Sequence, residues 1–440
     1  MLRKWYFAEN SDTVLEYILF LGYLLFFSWL VTRVKFFTKT GFSSPQLIIL
    51  FLLKVLAGIF YGWIGRYYGN LAQMQDTWAF HMSSLPEYQL LITDPGTYFA
   101  NIFYNPYEGG FMKFFTSQDS YWSDIKGNFF IKILSLFNLF SFCHYYVNVI
   151  IYSFLSLFGA VAVFRVMNHA FPGKRIQIAL ASFFIPSFLY WCSGIHKEGL
   201  IFLGISIIVY NIYFASVEKK FTIKRILWIL LGLFLMTILR NFLIVMAVPA
   251  ILAWILSIKW PKHTIAIYGF IYLFCVIAFF NVRKINPELD FPQAVVNKQQ
   301  EFLKLVPGGS TIPIKTLEPT AISFLTNTPQ AITLSAIRPY PNDVRHLLSL
   351  AAASEINLLL MLLILCILFH TSLKNGRGFI FFCVFFSASV LLSIGFSVNN
   401  LGAIVRYRSI VLPFLIIPVV AGIDWARLIN VFSPKSSDSL

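Results

Sequence analysis

Apolar residues in this chain come in long runs separated by short charged punctuation. A helix needs about 20 consecutive apolar residues to cross the hydrocarbon of a bilayer. About eleven segments approach that length, near 14–32, 46–65, 145–166, 176–194, 199–217, 225–239, 242–258, 264–282, 348–369, 378–396 and 409–424. The pattern predicts an all-α polytopic membrane protein, with residues 1–440 forming a single transmembrane domain. The runs 225–239 and 242–258 are short, and only Arg240 and Asn241 separate them. They read as a tight hairpin or as one long buried pair.

Two long segments, 66–128 and 283–347, interrupt the pattern. Both hold aromatic and apolar residues with turn signals, Asp94-Pro95-Gly96 in one and Pro307-Gly308-Gly309 in the other. Neither is low-complexity, so both are expected to be partly helical loops that carry function. The stretch 129–143 reads as a helix lying flat on the membrane.

Composition agrees with a bilayer. Hydrophobic types make up 58% and charged types 12%, about half the roughly 25% of soluble domains. The net charge of +15 forms no stripe or tail, which argues against nucleic acid. Instead the basic residues mark the ends of apolar runs: Arg33, Lys35, Lys39; Lys174, Arg175; Lys219, Lys220, Lys224, Arg225; Lys259, Lys262; Lys374, Arg377; then Arg427 and Lys435. With eleven alternating helices these fall on one side, the cytoplasm by the positive-inside rule. The expectation is a multi-pass protein of the cell inner membrane. Its N-terminus is outside, against Arg3 and Lys4, and its C-terminus is cytoplasmic. Both long loops are then extracytoplasmic. The first apolar run is followed by basic residues, not by a small-residue cleavage site, so it does not read as a removable signal. The five cysteines show no paired spacing, which speaks against disulfides and a zinc site. Nucleotide-binding glycine loops are absent from the sequence, as are internal repeats.

The candidate chemistry lies at the outer ends of helices. Gln75-Asp76-Thr77-Trp78, with His81 behind it, offers a carboxylate for a general base or for positioning an acceptor hydroxyl; the alternative is a solvated loop aspartate. Ser193-Gly194-Ile195-His196-Lys197-Glu198-Gly199 places three ionisable residues in a short turn. There Glu198 would stand beside the reacting groups and Lys197 on a phosphate, or the two would form a plain surface pair. Asn399-Asn400 and Arg406-Tyr407-Arg408 offer planar donor forks for phosphate oxygens, or headgroup anchors. Arg338, Asp343, Arg345 and His346 precede a helix containing Glu355, which suggests a loop-shaping pair. Arg240 completes a basic cavity or caps a helix end, and Lys54 is expected to snorkel toward the cytoplasm.

With MQDTWAFH around Asp76 and PSFLYWCSGIHKEGL around Glu198, the layout resembles the GT-C superfamily of polytopic glycosyltransferases. These have a large first outer loop with an acidic residue soon after a core helix. A short outer turn with a second acid follows a proline-containing helix, and long outer loops come later. By residue the resemblance covers only those two stretches. Here Asp76 is flanked by Gln75 and Thr77, where the family often pairs acids, so a divalent metal is unsupported and no cofactor is implied. An extra helix also precedes the one that would begin the family's core. The resemblance implies a sugar carried on polyprenyl phosphate and transferred to a glycan, lipid or protein acceptor outside the cytoplasm. Asp76 and Glu198 would be catalytic; His81, His196, Lys197, Arg240, Arg338, Arg406 and Arg408 would bind substrate. Two alternatives stay open. A polymerase joining lipid-linked polysaccharide repeats fits the arginines, and a transporter would carry out no covalent chemistry.

Overall fold

The computed structural model describes residues 13–68, 76–108, 114, 120–371 and 376–432. Arg3, Lys4, Gln75, Lys374 and Lys435 lie outside the described residues. Helices account for nearly all regular structure. Among the described residues, only two isolated antiparallel bridges, Thr311 with Asn400 and His370 with Ile423, have β character. The protein is therefore an all-α polytopic membrane protein.

Eight described helices are long and apolar enough to cross a membrane, or nine if the bent pair Leu401–Ser409 and Leu412–Gly422 is one span. The difference from eleven apolar runs has local causes. The run 176–194 is split into Arg175–Phe183 and Pro186–Trp191, because Pro186 lacks an N–H and steers Ile185 out of the helical region. The runs 225–239 and 242–258 belong to one helical stretch, Ile223–Lys259, interrupted at Arg240 (φ −161°, ψ 79°). The last run is bent by 66° near Pro413.

The chain forms two compact units, Met1–Val163 with Phe188–Ile244, and Phe164–Ser187 with Val245–Leu440. In the first unit, helix Ser44–Tyr67 begins with a Ser43–Gln46 capping box and Pro45, which satisfy its first amide donors. Its glycines let neighbours approach closely. A Cβ on Gly62 would sit 2.5 Å from the Tyr145 ring, and one on Gly58 would sit 2.7 Å from the Ser193 carbonyl oxygen. Lys54 does not snorkel. It is buried, donating to the Cys192 carbonyl (3.0 Å) and to Ser193 Oγ (3.1 Å), so it pins the turn after Pro186–Trp191. The cause is geometric: two acceptors from that turn lie within its reach, which spares it the extension to an interface.

Much of the first long segment is helical. Helix Asp76–Thr93 packs along Tyr121–Ser141, the helix that contains the stretch expected to lie flat. The second half of the Tyr121–Ser141 helix buries the polar Lys132, Ser135, Asn138 and Ser141 beside the apolar Phe130 and Leu134. Lys132 meets Glu87 at 2.5 Å, and Asn138 bonds Ser84 Oγ at 2.9 Å and Asn148 at 2.7 Å. Leu136, Leu139 and Phe140 are exposed. Buried polar groups with exposed apolar ones on the same stretch suit a helix packed on protein and facing lipid.

In the second unit, the long segment carries Phe291–Leu303 and Ala321–Ile332, each capped by a side chain (Asp290, Thr320). Val296, Phe324 and Leu317 form a small core with Phe279, Phe280 and Phe396. Buried Gln299 ties this core together, donating to the Phe396 carbonyl (2.9 Å) and accepting from the Leu317 amide (2.8 Å). Gly395 lies against the Ala331 backbone, and a Cβ there would collide with the Ala331 carbonyl. Gly395→Ala is therefore expected to destabilise the second unit by about 1–3 kcal/mol, the usual cost of overpacking. Thermal unfolding of the purified full chain in detergent measures it, and an unchanged midpoint refutes the close approach.

Candidate functional site

Two acids singled out in the sequence come together in the first unit. Asp76 opens the helix Asp76–Thr93, and Glu198 sits in the first turn of Lys197–Val217. A helix N-terminus carries partial positive charge, which suits both carboxylates. The neighbouring Thr77 hydroxyl meets Tyr145 Oη at 2.6 Å, and the Trp78 indole donates to the Gly62 carbonyl at 2.8 Å. These bonds seat the first turn of the Asp76 helix on the helices Tyr145–Ala170 and Ser44–Tyr67.

His196 joins the acids. Its Nε2 lies 3.6 Å from Asp76 Oδ2, and its Nδ1 bonds Glu198 Oε2. Arg240 Nη2 donates to Glu198 Oε1 at 2.8 Å. Side-chain exposure falls along this line from 44% at Asp76 to 2% at His196 and 0% at Glu198. Asp76 is thus the accessible end of a buried polar chain. The rings of Phe80, Tyr61 and Trp191 stand 5.9, 6.3 and 6.3 Å from the imidazole. The Tyr152 hydroxyl donates to the His196 carbonyl, and Lys54 holds the preceding turn. A Cβ on Gly194 would strike the Tyr61 ring, so glycine is what lets the turn close over it. Lys197 is partly exposed, with Nζ 5.0 Å from the centre of the Phe80 ring. Arg240 owes its position to the non-helical backbone that interrupts its helix.

His81 is buried, stacked edge-on against Trp78 and Tyr145. Burial pushes its pKa down to about 4. Its imidazole is therefore neutral at physiological pH and forms part of the packing behind Asp76.

The arginines Arg338, Arg406 and Arg408 belong to the second unit. Arg408 is buried; its Nη1 donates to the Arg338 carbonyl, and its charge faces Glu355. Glu355 accepts from the Ser187 amide at 2.5 Å and from Ser187 Oγ at 2.7 Å. Arg338 Nε lies 3.5 Å from Asp343, with the guanidinium 5.1 Å above the Tyr340 ring. Arg406 Nη2 reaches Tyr407 Oη at 3.2 Å. Asn399 and Asn400 fasten the second long segment: the Ile312 amide donates to the Asn399 carbonyl at 2.8 Å, and Asn400 caps Leu401–Ser409.

Sequence reasoning misplaced Lys54 and missed Tyr152 and Ser187. A lysine in mid-span is itself a signal, because an ionisable group inside an apolar helix usually has a protein partner. The tyrosine and serine carried no such mark. Among the described residues, no group of three or more acidic, histidine or cysteine side chains is arranged to hold a metal. No protein-family model, curated protein or solved structure matches the chain. What is established is an all-α multi-pass membrane protein carrying a buried acid–imidazole–acid chain with one accessible carboxylate.

Two outcomes follow. The unfolded chain protonates His81 near pH 6.5 and the folded one near 4. The unfolded state thus binds more protons between those values, and stability falls by up to about 3 kcal/mol as pH drops from 6.5 to 4. Unfolding midpoints of wild type and His81→Leu across that window measure the contribution, which the variant should lack. Separately, Glu355→Gln disturbs the bonds from Ser187 and removes the negative charge that buried Arg408 faces, and should cost about 1–3 kcal/mol. Glu355→Gln with Arg408→Met should cost less than the two single changes summed; simple additivity would show that the residues do not interact.

Proposed function

We propose that this protein is a membrane glycosyltransferase that moves a sugar from a polyprenyl-phosphate carrier to an acceptor on the extracytoplasmic face. One observation carries the reading: the Asp76 carboxylate is accessible yet backed by His196, Glu198 and Arg240. A general base must reach the acceptor while being held in one geometry, and this arrangement meets both needs. In the reaction, Asp76 takes the proton of the acceptor hydroxyl as the oxygen attacks the anomeric carbon. The bond from that carbon to the phosphate oxygen breaks, and the electron pair leaves on the phosphate. Lys197, on the adjoining turn, supplies a cation for that developing charge.

The GT-C resemblance supports the same two acids, Asp76 and Glu198, as functional. On this reading the chain sits in the cell inner membrane, N-terminus outside and C-terminus cytoplasmic. The contact of Asp76 with His196 supports that orientation, since both then lie on the side away from the basic connections. The acceptor is a glycan, a lipid or a protein. No step is assigned to a metal.

Asp76→Asn is the direct test. The variant should reach the membrane at wild-type level. Transfer of labelled sugar from polyprenyl phosphate into envelope glycans should fall by about 100-fold or more, the scale of lost general-base catalysis. Retained transfer would remove Asp76 from the mechanism.

A further inference from the structure

The chain of groups at the site poses a charge problem with one economical solution. Glu198 is fully buried, with Oε1 on Arg240 and Oε2 on His196. An ionised carboxylate can only accept hydrogen bonds, so His196 Nδ1 must carry a hydrogen. The other ring nitrogen, Nε2, faces Asp76 Oδ2 at 3.6 Å. In a neutral imidazole that nitrogen would present a lone pair to a carboxylate oxygen, and the two would repel. In an imidazolium it presents an N–H, and the contact becomes attractive.

Within the interior Glu198 and Arg240 balance each other, and a protonated ring places its added charge against the partly exposed Asp76 carboxylate. Other charged and titratable groups stand around the turn, among them Arg66, 5.4 Å from the centre of the Trp78 ring. From Ser44–Tyr67, Lys54 holds Cys192 and Ser193, and Tyr61 presents its ring. From Tyr145–Ala170, Tyr152 donates to the His196 carbonyl. Lys197, on the turn itself, lies over Phe80.

We propose that His196 stands as an imidazolium clamped between Asp76 and Glu198, and that it is the positioning residue for the Asp76 carboxylate. The Glu198–Arg240 pair fixes the ring from behind, and the Nε2 hydrogen fixes Asp76 in front. This deepens the reading of Asp76 as the base, and its catalytic weight rests on that reading; its protonation state does not. His196 keeps both ring hydrogens through the transfer. Asp76 carries away the acceptor proton and returns it to water through its accessible side.

The test is nitrogen NMR of the full-length protein, labelled with ¹⁵N-histidine and held in lipid nanodiscs. The pH is set to about 7.5, one unit above the ordinary histidine value. An imidazolium shows two protonated ring nitrogens; a neutral ring shows one protonated and one bare. The His196 signals are assigned by their loss in His196→Gln. Should that variant fail to accumulate, they are assigned by elimination with single His→Gln changes at the other histidines. Wild-type His196 should show both nitrogens protonated. Asp76→Asn should strip one of them at the same pH, and Asp76→Glu should restore it. A bare nitrogen in the wild type overturns the proposal, as does a doubly protonated ring in Asp76→Asn. A merely structural histidine, donating only to Glu198, would give the first of those results. Sugar transfer does not enter the measurement. An imidazolium in a protein without transferase activity would therefore sink the functional reading while leaving this one standing.

Discussion

A carboxylate with no solvent access, placed in the first turn of an apolar helix, must have cations beside it. Glu198 is that carboxylate, and much of the first unit can be understood as the means of supplying its partners. Arg240 reaches it because its helix gives up regular backbone at that residue. His196 reaches it because a glycine turn, held by Lys54 and Tyr152, closes tightly over Tyr61. Helix Asp76–Thr93 is seated through Thr77 and Trp78 so that its first residue meets the same imidazole. Several local irregularities that look unrelated in the sequence thus answer one electrostatic demand.

The second unit meets the same demand with other parts. Glu355 is buried within a span, and it is satisfied by the amide and hydroxyl of Ser187 and by the charge of Arg408. Here Glu355 is buried on Ser187 and Arg408 on the Arg338 carbonyl, and neither has the exposure of Asp76. The comparison separates the two clusters by what they can do. A buried carboxylate bonded to a neighbouring amide and hydroxyl holds helices together, whereas a buried chain with an accessible carboxylate can also exchange a proton. For that reason the candidate chemistry rests on Asp76 and not on the arginine group.

Much of this was readable in the residues alone. The spans Ser44–Tyr67, Tyr145–Ala170 and Lys197–Val217 follow from apolar length, which the thickness of a bilayer dictates and which needs no knowledge of neighbours. Asp76 stood out as a carboxylate beyond a helix end away from the basic connections, and His196 and Glu198 as ionisable neighbours in a short turn. The burial of Lys132 and Asn138 in Tyr121–Ser141 was not readable. Apolar periodicity gives the direction of an apolar face and not whether lipid or water lies beyond it. Lys54 was misread for a similar reason: its partners are carbonyl and hydroxyl groups 138 and 139 positions away.

By itself, then, the sequence determined the class of protein and the small set of groups able to do chemistry. Length, hydropathy and residue type are local properties, and the bilayer acts on each segment separately. Only the tertiary structure decided which of those groups meet, because pairing depends on distances between residues remote in the chain. It divided the basic residues between partners of Glu198 and partners of Glu355. It also broke the apolar run 176–194 at Pro186, joined the runs 225–239 and 242–258 through the irregular backbone of Arg240, and bent the last run by 66° just before Pro413.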